Sequence, residues 1–399
     1  MNFEKKTRAL SYGMEFTHGI RRALMGALAL VYFVYLGFSI VSITTLFAIS
    51  TLIMIFFEFP TGAIADYDSR KKSLVISFFL LSVAFFGIFA FNNFWLIAVS
   101  WILGDIAWTF STGAGSAWII DALGYSKNKS KLVNLISRCY FFEKGGHIIG
   151  GLIGLVIVAI SFRFVWLVIS ITNLIMMFII IFYVEERNFK PTKVPHNYAV
   201  KAMIKAKESF SYLIHKDNSE LRALLIAGLI SIIGGSIFFI GVPLLFTEIF
   251  NLKPENLSAL FAFVMALSLI SPFIAEKISN KKGFRYSLFG MFAVMGLAMI
   301  VLAVLGNLTY AIIAFGIIQI SLTATDVISD SALEHEFSSK IRASLGSLNS
   351  INWSIAHSIG VFLAGISITF LGIINTIVAA GGITIVAAII YLVGMKKEV

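Results

Sequence analysis

The sequence predicts an all-α membrane protein in which twelve transmembrane helices form two six-helix bundles. Composition is the first reason: 58% of the 399 residues are hydrophobic, 38 are Phe and only 13% are charged. A soluble core of this size cannot cover so much apolar surface. The second reason is the number of apolar segments long enough to cross a bilayer, and the third is an internal repeat that divides the chain in half.

The transmembrane segments follow from length and from the residues that interrupt them. A helix that spans the roughly 30 Å hydrocarbon core needs about 20 apolar residues. Charged residues, Gly or Asn turns and Pro separate twelve such segments in this chain. They lie near residues 12–36, 41–61, 73–91, 94–119, 139–160, 163–183, 222–247, 257–276, 286–306, 309–331, 346–370 and 372–394.

The orientation follows from the distribution of Lys and Arg over the loops. With the amino terminus inside, 26 of the 31 basic residues fall in cytoplasmic tails and loops, whereas the outer loops hold only Arg163 and Lys253. Short cytoplasmic loops of membrane proteins carry such an excess. We therefore expect both termini in the cytoplasm and the protein in the cell membrane. The net charge of +10 belongs to this membrane face and does not indicate a nucleic-acid partner.

One long loop divides the chain into its predicted domains. Residues 1–183 form the first bundle, 184–221 a cytoplasmic linker and 222–399 the second bundle. Within the linker, "YAVKAMIKAKESFSYLIHK" mixes apolar and basic residues at roughly helical spacing. This pattern fits a helix lying on an anionic inner leaflet, and it fits a solvated linker helix equally well.

The internal repeat is a charged phrase in two matching inner loops. "GAIADYDSRKKSL" at 62–74 follows the second segment, and "IAEKISNKK" at 274–282 follows the eighth, with the shared residues offset by 210 positions. A repeat in a polytopic protein is typical of a secondary transporter whose two halves rock about a central site. The acid and the nearby Arg could form a latch that holds one conformation. Simple positive-inside topology explains the lysines, but it does not explain Gly62 or Asp66.

The first of these loops resembles the major facilitator superfamily, and the resemblance extends over essentially the whole chain. The family's loop motif is written G-x-L-A-D-R-x-G-R-K-x-x-L. The chain departs from it at Tyr67 and Ser69, with Ile64 for Leu, and "EFPTG" at 58–62 and "SAWIID" ending at Asp121 are further similarities. The matching positions are Gly62, Ala65, Asp66, Arg70, Lys71 and Leu74.

The resemblance implies roles for these residues. In the family the loop Asp and Arg form a charge relay with an acid at the inner end of the fourth segment, which implies a latch of Asp66, Arg70 and Asp121. Glu276 in the repeat and Arg342 in "RASLGSLNS" are their expected counterparts in the second half. The motifs look like those of the drug-exporting branches.

Two motifs of proton-coupled exporters are missing. Ser100 stands where such exporters place an Arg four residues before a Gly, and "GGHIIGGLIG" at 145–154 lacks the Gly-Pro of their fifth segment. Proton coupling would therefore need other groups. The glycines 146, 150 and 154 recur every four residues, a spacing that lets another helix approach closely.

Ionisable residues inside the predicted spans are the candidate binding groups, because each is costly in lipid unless it faces a partner or a wet cavity. Asp105 lies about 15 Å from the outer end of its helix, near the midplane, and shares a helical face with Trp101 and Trp108. A carboxylate between two indoles can bind an organic cation or exchange a proton. The alternative for Asp105 is a structural ion pair with a buried base.

The first helix carries a second group. Glu15, His18 and Arg22 recur at spacings of three or four and share one face, with Arg21 beside them, and they could line a cavity or lie at the membrane interface. Segment five offers expected partners for the two arginines. These partners are Glu143, Lys144 and His147.

The second half carries fewer charges within its spans. Asp326 in segment ten and His357 in segment eleven are candidate binding residues there. Asp330 is assigned to the inner membrane interface.

The function predicted from these features is alternating-access secondary transport, with proton-coupled efflux of amphipathic organic compounds as the first hypothesis. The alternative is transport of a small anionic or polar solute by symport, exchange or uniport, using Arg21, Arg22 and Lys144. A membrane-embedded enzyme would not explain the duplicated loop. A transport-inactive receptor is compatible with the sequence, but Asp105 inside a span favours a working cavity. No phosphate-binding Gly-rich loop is present. We expect a monomer in the lipid bilayer that binds a small-molecule substrate and protons, without a cofactor or a metal.

Overall fold

The computed structural model describes residues 3–124, 129–187, 189, 191–192, 219–336 and 342–395. Within these residues the chain is helical and contains no strand, as the composition predicts. The amphipathic helix expected in the linker lies outside the described residues.

Before the linker, the described residues form seven helices. Helix α2 runs into a π-helical turn at Ile64–Asp68, which ends at the Ser69 cap of the next helix. The bounds are α1 Phe3–Tyr35, α2 Ile40–Ala63, α3 Arg70–Ala90, α4 Phe94–Thr109, α5 Ala114–Leu123, α6 Lys129–Ile160 and α7 Phe164–Tyr183.

Five helices follow the linker in the ranges that the structure describes, and two of them contain a sharp break. Gly283 (φ 69°) interrupts α10 and Gly372 (φ 82°) interrupts α12, both with backbone angles that only Gly adopts readily. The bounds are α8 Ser219–Leu244, α9 Pro254–Leu267, α10 Ser271–Val304, α11 Leu308–Glu336 and α12 Arg342–Gly394.

The predicted segments correspond to these helices. In the described part of the chain nine helical stretches are long and apolar enough to cross a membrane. The stretch Pro254–Val304 and the stretch Ile351–Gly394 each contain two predicted segments, separated by the breaks at Gly283 and Gly372. Helix α1, which carries more charge, supplies the remaining segment. The fold is therefore that of an all-α membrane protein.

The chain folds into two compact units. The first contains Met1–Phe38, Leu52–Ala199 and Pro254–Ala262, and the second contains Ser39–Thr51, Val200–Lys253 and Phe263–Val399. Each unit thus takes most of one predicted half, together with a short piece of a helix that begins in the other half. Within the second unit, for example, Thr44 of α2 packs directly against Gly365 of α12.

Aromatic packing forms much of the first unit's interior. Phe33 of α1 stacks on Trp166 of α7 at 5.7 Å between ring centroids, and Trp166 also stacks on Phe85 of α3 at 6.1 Å. These offset aromatic pairs add favourable contact energy to the burial itself. The interior joins α1, α3 and α7, and the polar residues of α1 lie about three to five turns nearer its amino terminus.

Candidate functional site

The first unit encloses a cavity of about 510 Å³, here called the first-unit cavity. Helices α1, α4, α5 and α6 supply most of its wall, and α3 adds Leu74. Several of the residues expected from the sequence meet here. The principal polar and aromatic lining residues are Glu15, His18, Arg22, Trp108, Ser111 and Glu143.

An ion pair crosses this cavity from α1 to α6. The Arg22 guanidinium donates to the Glu143 carboxylate. The Glu143 side chain is 8% exposed, whereas that of Arg22 is 45% exposed. The pairing expected between the first and fifth segments is therefore present, and its positive half still faces the cavity.

Glycines allow α1 and α6 to come this close. A Cβ at Gly146 of α6 would overlap the carbonyl oxygen of Phe16, and a Cβ at Gly19 of α1 would overlap the carbonyl oxygen of Glu143. The two backbones are in direct contact, as the four-residue glycine spacing predicts. Because Gly19 lies beside Glu143, the Arg22 side chain reaches the carboxylate from less than one turn away.

Two arginine side chains of the protein lie against the ring of Trp108. The guanidinium carbon of Arg21 lies 4.5 Å from the ring centroid and that of Arg22 lies 5.2 Å away. His18 contacts the same indole edge-on at 4.7 Å. These are the distances of cation–π contacts, so the aromatic surface expected to accept a substrate cation is occupied by two arginines.

Asp105 and Trp101 lie in different surroundings from those expected. Asp105 is partly buried and interacts electrostatically with Arg21, which agrees with the alternative of an ion pair with a buried base. Trp101 is buried and packs edge-on against Phe33 at 5.6 Å. Neither residue is among those that line the first-unit cavity. The face shared by Trp101, Asp105 and Trp108 does exist, but it turns toward α1.

His18 is buried beside the cavity. Its Nε2 lies 3.2 Å from the Ser111 hydroxyl, and its ring stacks on Phe78 at 4.9 Å. Its Nδ1 has no hydrogen-bond partner in the described part of the chain. The Ser111 contact and the stacking on Phe78 therefore fix the orientation of the His18 ring.

Lys144 and His147 lie outside the wall of this cavity. Both are partly buried on α6, and they interact electrostatically with each other. The backbone of His147 packs against Gly19. Their position relates them to the α1–α6 contact and not to the cavity itself.

The second unit encloses its own cavity of about 370 Å³, here called the second-unit cavity. The His357 ring stacks on Trp353 at 4.8 Å and its Nδ1 lies 2.9 Å from the Ser236 hydroxyl. Asp326 lines this cavity as expected, together with Asp330. Asp330, which was assigned to the inner membrane interface, is exposed and also contributes to the lining of this cavity. Its assignment to the interface stays a prediction.

The expected latch is partly visible in the first unit. Arg70 forms an ion pair with Asp121 and donates to the Ala117 carbonyl oxygen at 2.7 Å. Asp66 is exposed on the π-helical turn. In the second half Glu276 is exposed, and the Arg342 side chain lies outside the described side chains. Gly62 is partly buried near the end of α2.

Sequence reasoning missed a second acid at this loop. The Glu186 carboxylate accepts from the Ser69 hydroxyl at 2.6 Å, from the Arg70 amide at 2.7 Å and from the Lys71 amide at 3.2 Å. It therefore caps the first turn of α3, where free amides and the helix dipole favour an anion. Neighbouring Glu185 binds Lys6 and Arg187, whose hydrogen bonds hold the pKa of the Glu185 carboxyl below its ordinary value.

Other missed residues belong to the second-unit cavity. Trp353 lies one helical turn before His357, a spacing that the sequence does show. Asn352 also lines the cavity and its amide donates to the Leu225 carbonyl oxygen at 3.4 Å.

The sequence gives one signal for Glu186. It belongs to an acidic pair directly after an apolar segment, on a membrane face that carries a net positive charge.

Two helical units, each with a cavity lined by ionisable side chains inside membrane-spanning helices, define a polytopic membrane transporter. The family comparison specifies the class. The sequence profile of the Major Facilitator Superfamily matches residues 12–359. This chain belongs to the major facilitator superfamily and is a multi-pass membrane protein.

Solved structures of transporters share the fold. A POT family transporter in complex with 5-aminolevulinic acid has a TM-score of 0.78 at 16% identity, over 97% of this chain and 95% of that chain. The nucleoside transporter NupG has a TM-score of 0.75 at 14% identity, over 99% and 100%. The human organic anion transporter MFSD10 (TETRAN) has a TM-score of 0.68 at 10% identity, over 97% and 99%. No curated protein sequence matches the chain.

Proposed function

We propose that this protein is an alternating-access secondary transporter of a small organic solute that carries an anionic or strongly polar group. The observation that carries the proposal is the Arg22 side chain, which lines the first-unit cavity and remains 45% exposed while paired with Glu143. A guanidinium presents a planar set of N–H donors that fits a carboxylate or a phosphate. This supports the anionic-solute alternative over the cation hypothesis.

The surroundings of Trp108 support the same preference. Two guanidinium groups already lie on its ring. A substrate cation entering there would meet like charges at close range in a medium of low polarity, which is unfavourable. The indole instead forms cation–π contacts with the two arginines.

Substrate binding can be linked to proton binding in this arrangement. A solute anion that binds Arg22 competes with Glu143 for the same donors. A buried carboxylate that loses its ion-pair partner is costly as a charge and favours its protonated form. Solute and proton would then enter the cavity together, with Glu15 as a further proton acceptor on the same wall.

A second candidate is proton-coupled export of amphipathic organic compounds, as in the drug-exporting branches. The second-unit cavity favours it, because aromatic side chains there accompany two acids. An amphipathic cation would find both ring surface and negative charge. These residues are Phe239, Phe292, Trp353, Tyr391, Asp326 and Asp330.

We also propose that the inner loop acts as a conformational latch. Arg70 and Asp121 form the ion pair of this latch, and exposed Asp66 is the residue whose contacts change between conformations. Asp66→Asn should change turnover more than apparent affinity, because it acts on the equilibrium between conformations. The matched control is Asp68→Asn, since Asp68 is the adjacent exposed acid and pairs with Lys72. An effect of Asp66→Asn on affinity alone would count against the latch.

A proteoliposome assay separates the two transport candidates. Matched organic anions, zwitterions and cations of similar size would be offered under an imposed pH gradient. We expect solutes with an acidic group to move, and Arg22→Gln to lower kcat/KM by about 30- to 1,000-fold, the effect of truncating a buried charged pair. Asp326→Asn, which removes a charge from the other cavity, should retain transport.

The opposite pattern would overturn the first candidate. If only cations moved, and Asp326→Asn abolished their transport while Arg22→Gln did not, export of amphipathic cations would be the function. If neither panel moved in wild-type vesicles, the proposal of transport by these cavities would fail.

A further inference from the structure

A third pocket lies at the amino-terminal end of the first unit, apart from the two cavities above. It measures about 420 Å³ and lies between the first turns of α1 and the early part of α6. Three of its lining side chains are basic and one is acidic. The lining residues are Glu4, Lys5, Arg8, Ala9, Tyr12 and Arg138.

The depth of this pocket can be estimated from helix lengths. Counting from Tyr35 at the outer end of α1, Tyr12 lies about 34 Å inward; counting from Ile160, Arg138 lies about 33 Å inward. The hydrocarbon core is about 30 Å thick and the headgroup layer adds about 5 to 7 Å on each side. Tyr12 and Arg138 therefore lie at headgroup level, whereas the backbones of Arg8 and Lys5 lie about 4 Å and about 9 Å beyond it. Both side chains line the same pocket as Tyr12.

The pocket has a basic rim and an aromatic wall. Arg138 and Lys5 are exposed, and Arg8 is fixed in place by Glu4 at 2.8 Å. Tyr12 stacks on Phe142 at 4.7 Å, and its hydroxyl, shielded from solvent, has no hydrogen-bond partner in the described part of the chain. The aromatic wall is therefore a packed surface, and the exposed polar groups of the pocket are the basic side chains of its rim.

The surface next to the pocket is apolar. Phe142 is 37% exposed and its neighbour Phe141 is 66% exposed. At this depth exposed aromatic rings face acyl chains and the headgroup boundary, where aromatic residues of membrane proteins concentrate. A ligand that carries both an anionic group and acyl chains would match the basic rim and the aromatic wall at once.

We propose that this pocket binds the phosphodiester headgroup of an anionic phospholipid in the leaflet that faces the amino terminus. The headgroup binds Lys5, Arg8 and Arg138, and one acyl chain lies along Phe142. By the orientation that Lys and Arg predict, this is the cytoplasmic leaflet, whose anionic lipids attract basic clusters near the surface. The inference does not depend on the identity of the transported solute.

Native mass spectrometry of the full chain in detergent tests the site. The probes are phosphatidylglycerol, phosphatidylcholine with the same acyl chains, and inorganic phosphate. We expect one retained phosphatidylglycerol on the wild-type protein and about a 10- to 30-fold weaker affinity in Lys5→Gln/Arg138→Gln, since each basic residue adds a substantial attraction to an anionic headgroup. Arg138→Lys, which keeps the charge, should retain most of the binding.

A matched control removes the same charge elsewhere. Lys281→Gln/Lys282→Gln takes two exposed lysines from the loop after α10's first stretch, on the same predicted membrane face, and should leave phosphatidylglycerol binding unchanged. Unaltered binding in Lys5→Gln/Arg138→Gln, or an equal loss in the control, would overturn the site. If inorganic phosphate displaced the lipid at equal concentration, or phosphatidylcholine bound equally well, the assignment to an anionic lipid would be wrong.

Discussion

At the residue scale, Arg22 and Glu143 form one ion pair but differ in what surrounds them. Glu143 is 8% exposed and Arg22 is 45% exposed. If the arginine is removed, a buried carboxylate loses its ion-pair partner. If the carboxylate is removed, the remaining guanidinium can be solvated by water in the cavity. The two halves of the pair should therefore differ in their contribution to stability.

We predict that Arg22→Met lowers the free energy of unfolding by about 3 kcal/mol, the usual result of leaving a buried charge without its partner. Glu143→Gln should cost less than about 1 kcal/mol, because the Arg22 guanidinium that loses its partner is exposed to the cavity, and exposed charges contribute little to stability. Unfolding of the purified variants in detergent, followed by tryptophan fluorescence, measures both. The double variant Arg22→Met/Glu143→Gln should recover part of the loss. Equal losses in the two single variants would contradict the assignment.

The sequence predicted which residues share a helical face, but not which neighbouring helix that face meets. Helical spacing correctly placed Trp101, Asp105 and Trp108 on one face and Glu15, His18 and Arg22 on another. It did not show that α1 and α4 face each other, so that Arg21 reaches both Asp105 and Trp108. Spacing along one helix fixes which residues share a face, but only packing decides which face of a neighbour they meet.

At the element scale, the contact between α1 and α6 depends on the absence of side chains. We predict that Gly146→Ala destabilises the protein by about 1 to 3 kcal/mol, because its Cβ would overlap the Phe16 backbone and the helices would have to separate. Gly26→Ala is the matched control, since nothing lies within 4 Å of a Cβ there, and it should be neutral or slightly stabilising. Thermal unfolding of both variants decides, and an equal response would exclude close packing as the cause.

The contribution of the Glu186 cap to the stability of α3 can also be measured. We predict that Glu186→Ala lowers stability by about 1 kcal/mol and speeds hydrogen exchange at the Arg70 and Lys71 amides, which lose their acceptor. Glu276→Ala, at the exposed acid of the second inner loop, provides the control. Hydrogen-exchange mass spectrometry of the peptide that covers residues 69–74 gives the result. Unchanged exchange in Glu186→Ala would rule out the cap.

At the scale of the whole molecule, the orientation in the membrane remains a prediction from the Lys and Arg distribution. Cys139 is the single cysteine of the chain, so Cys139→Ser provides a background for single-cysteine labelling. In intact cells a membrane-impermeant maleimide should label Lys253→Cys at once, and should label Asn280→Cys only after permeabilisation, because positively charged loops stay inside. Both positions are exposed. The reverse pattern would invert the assigned topology.

The sequence by itself determined the solvent, the class of fold and the segments. Apolar composition, the length needed to cross a bilayer and the repeated loop are properties that can be read along one chain, and the family comparison confirmed the superfamily. The pairing of Arg70 with Asp121 was also anticipated, because the resemblance to the family implies a charge relay that includes both residues.

Only the tertiary structure decided which charges meet. It placed Arg22 on Glu143, turned Trp108 toward two arginines and brought Glu186 to the start of α3. Each of these contacts joins residues that are far apart in the chain, and its formation depends on how the helices rotate, approach and cross one another. Those quantities arise from packing in three dimensions, and the local pattern of residues along one helix does not contain them.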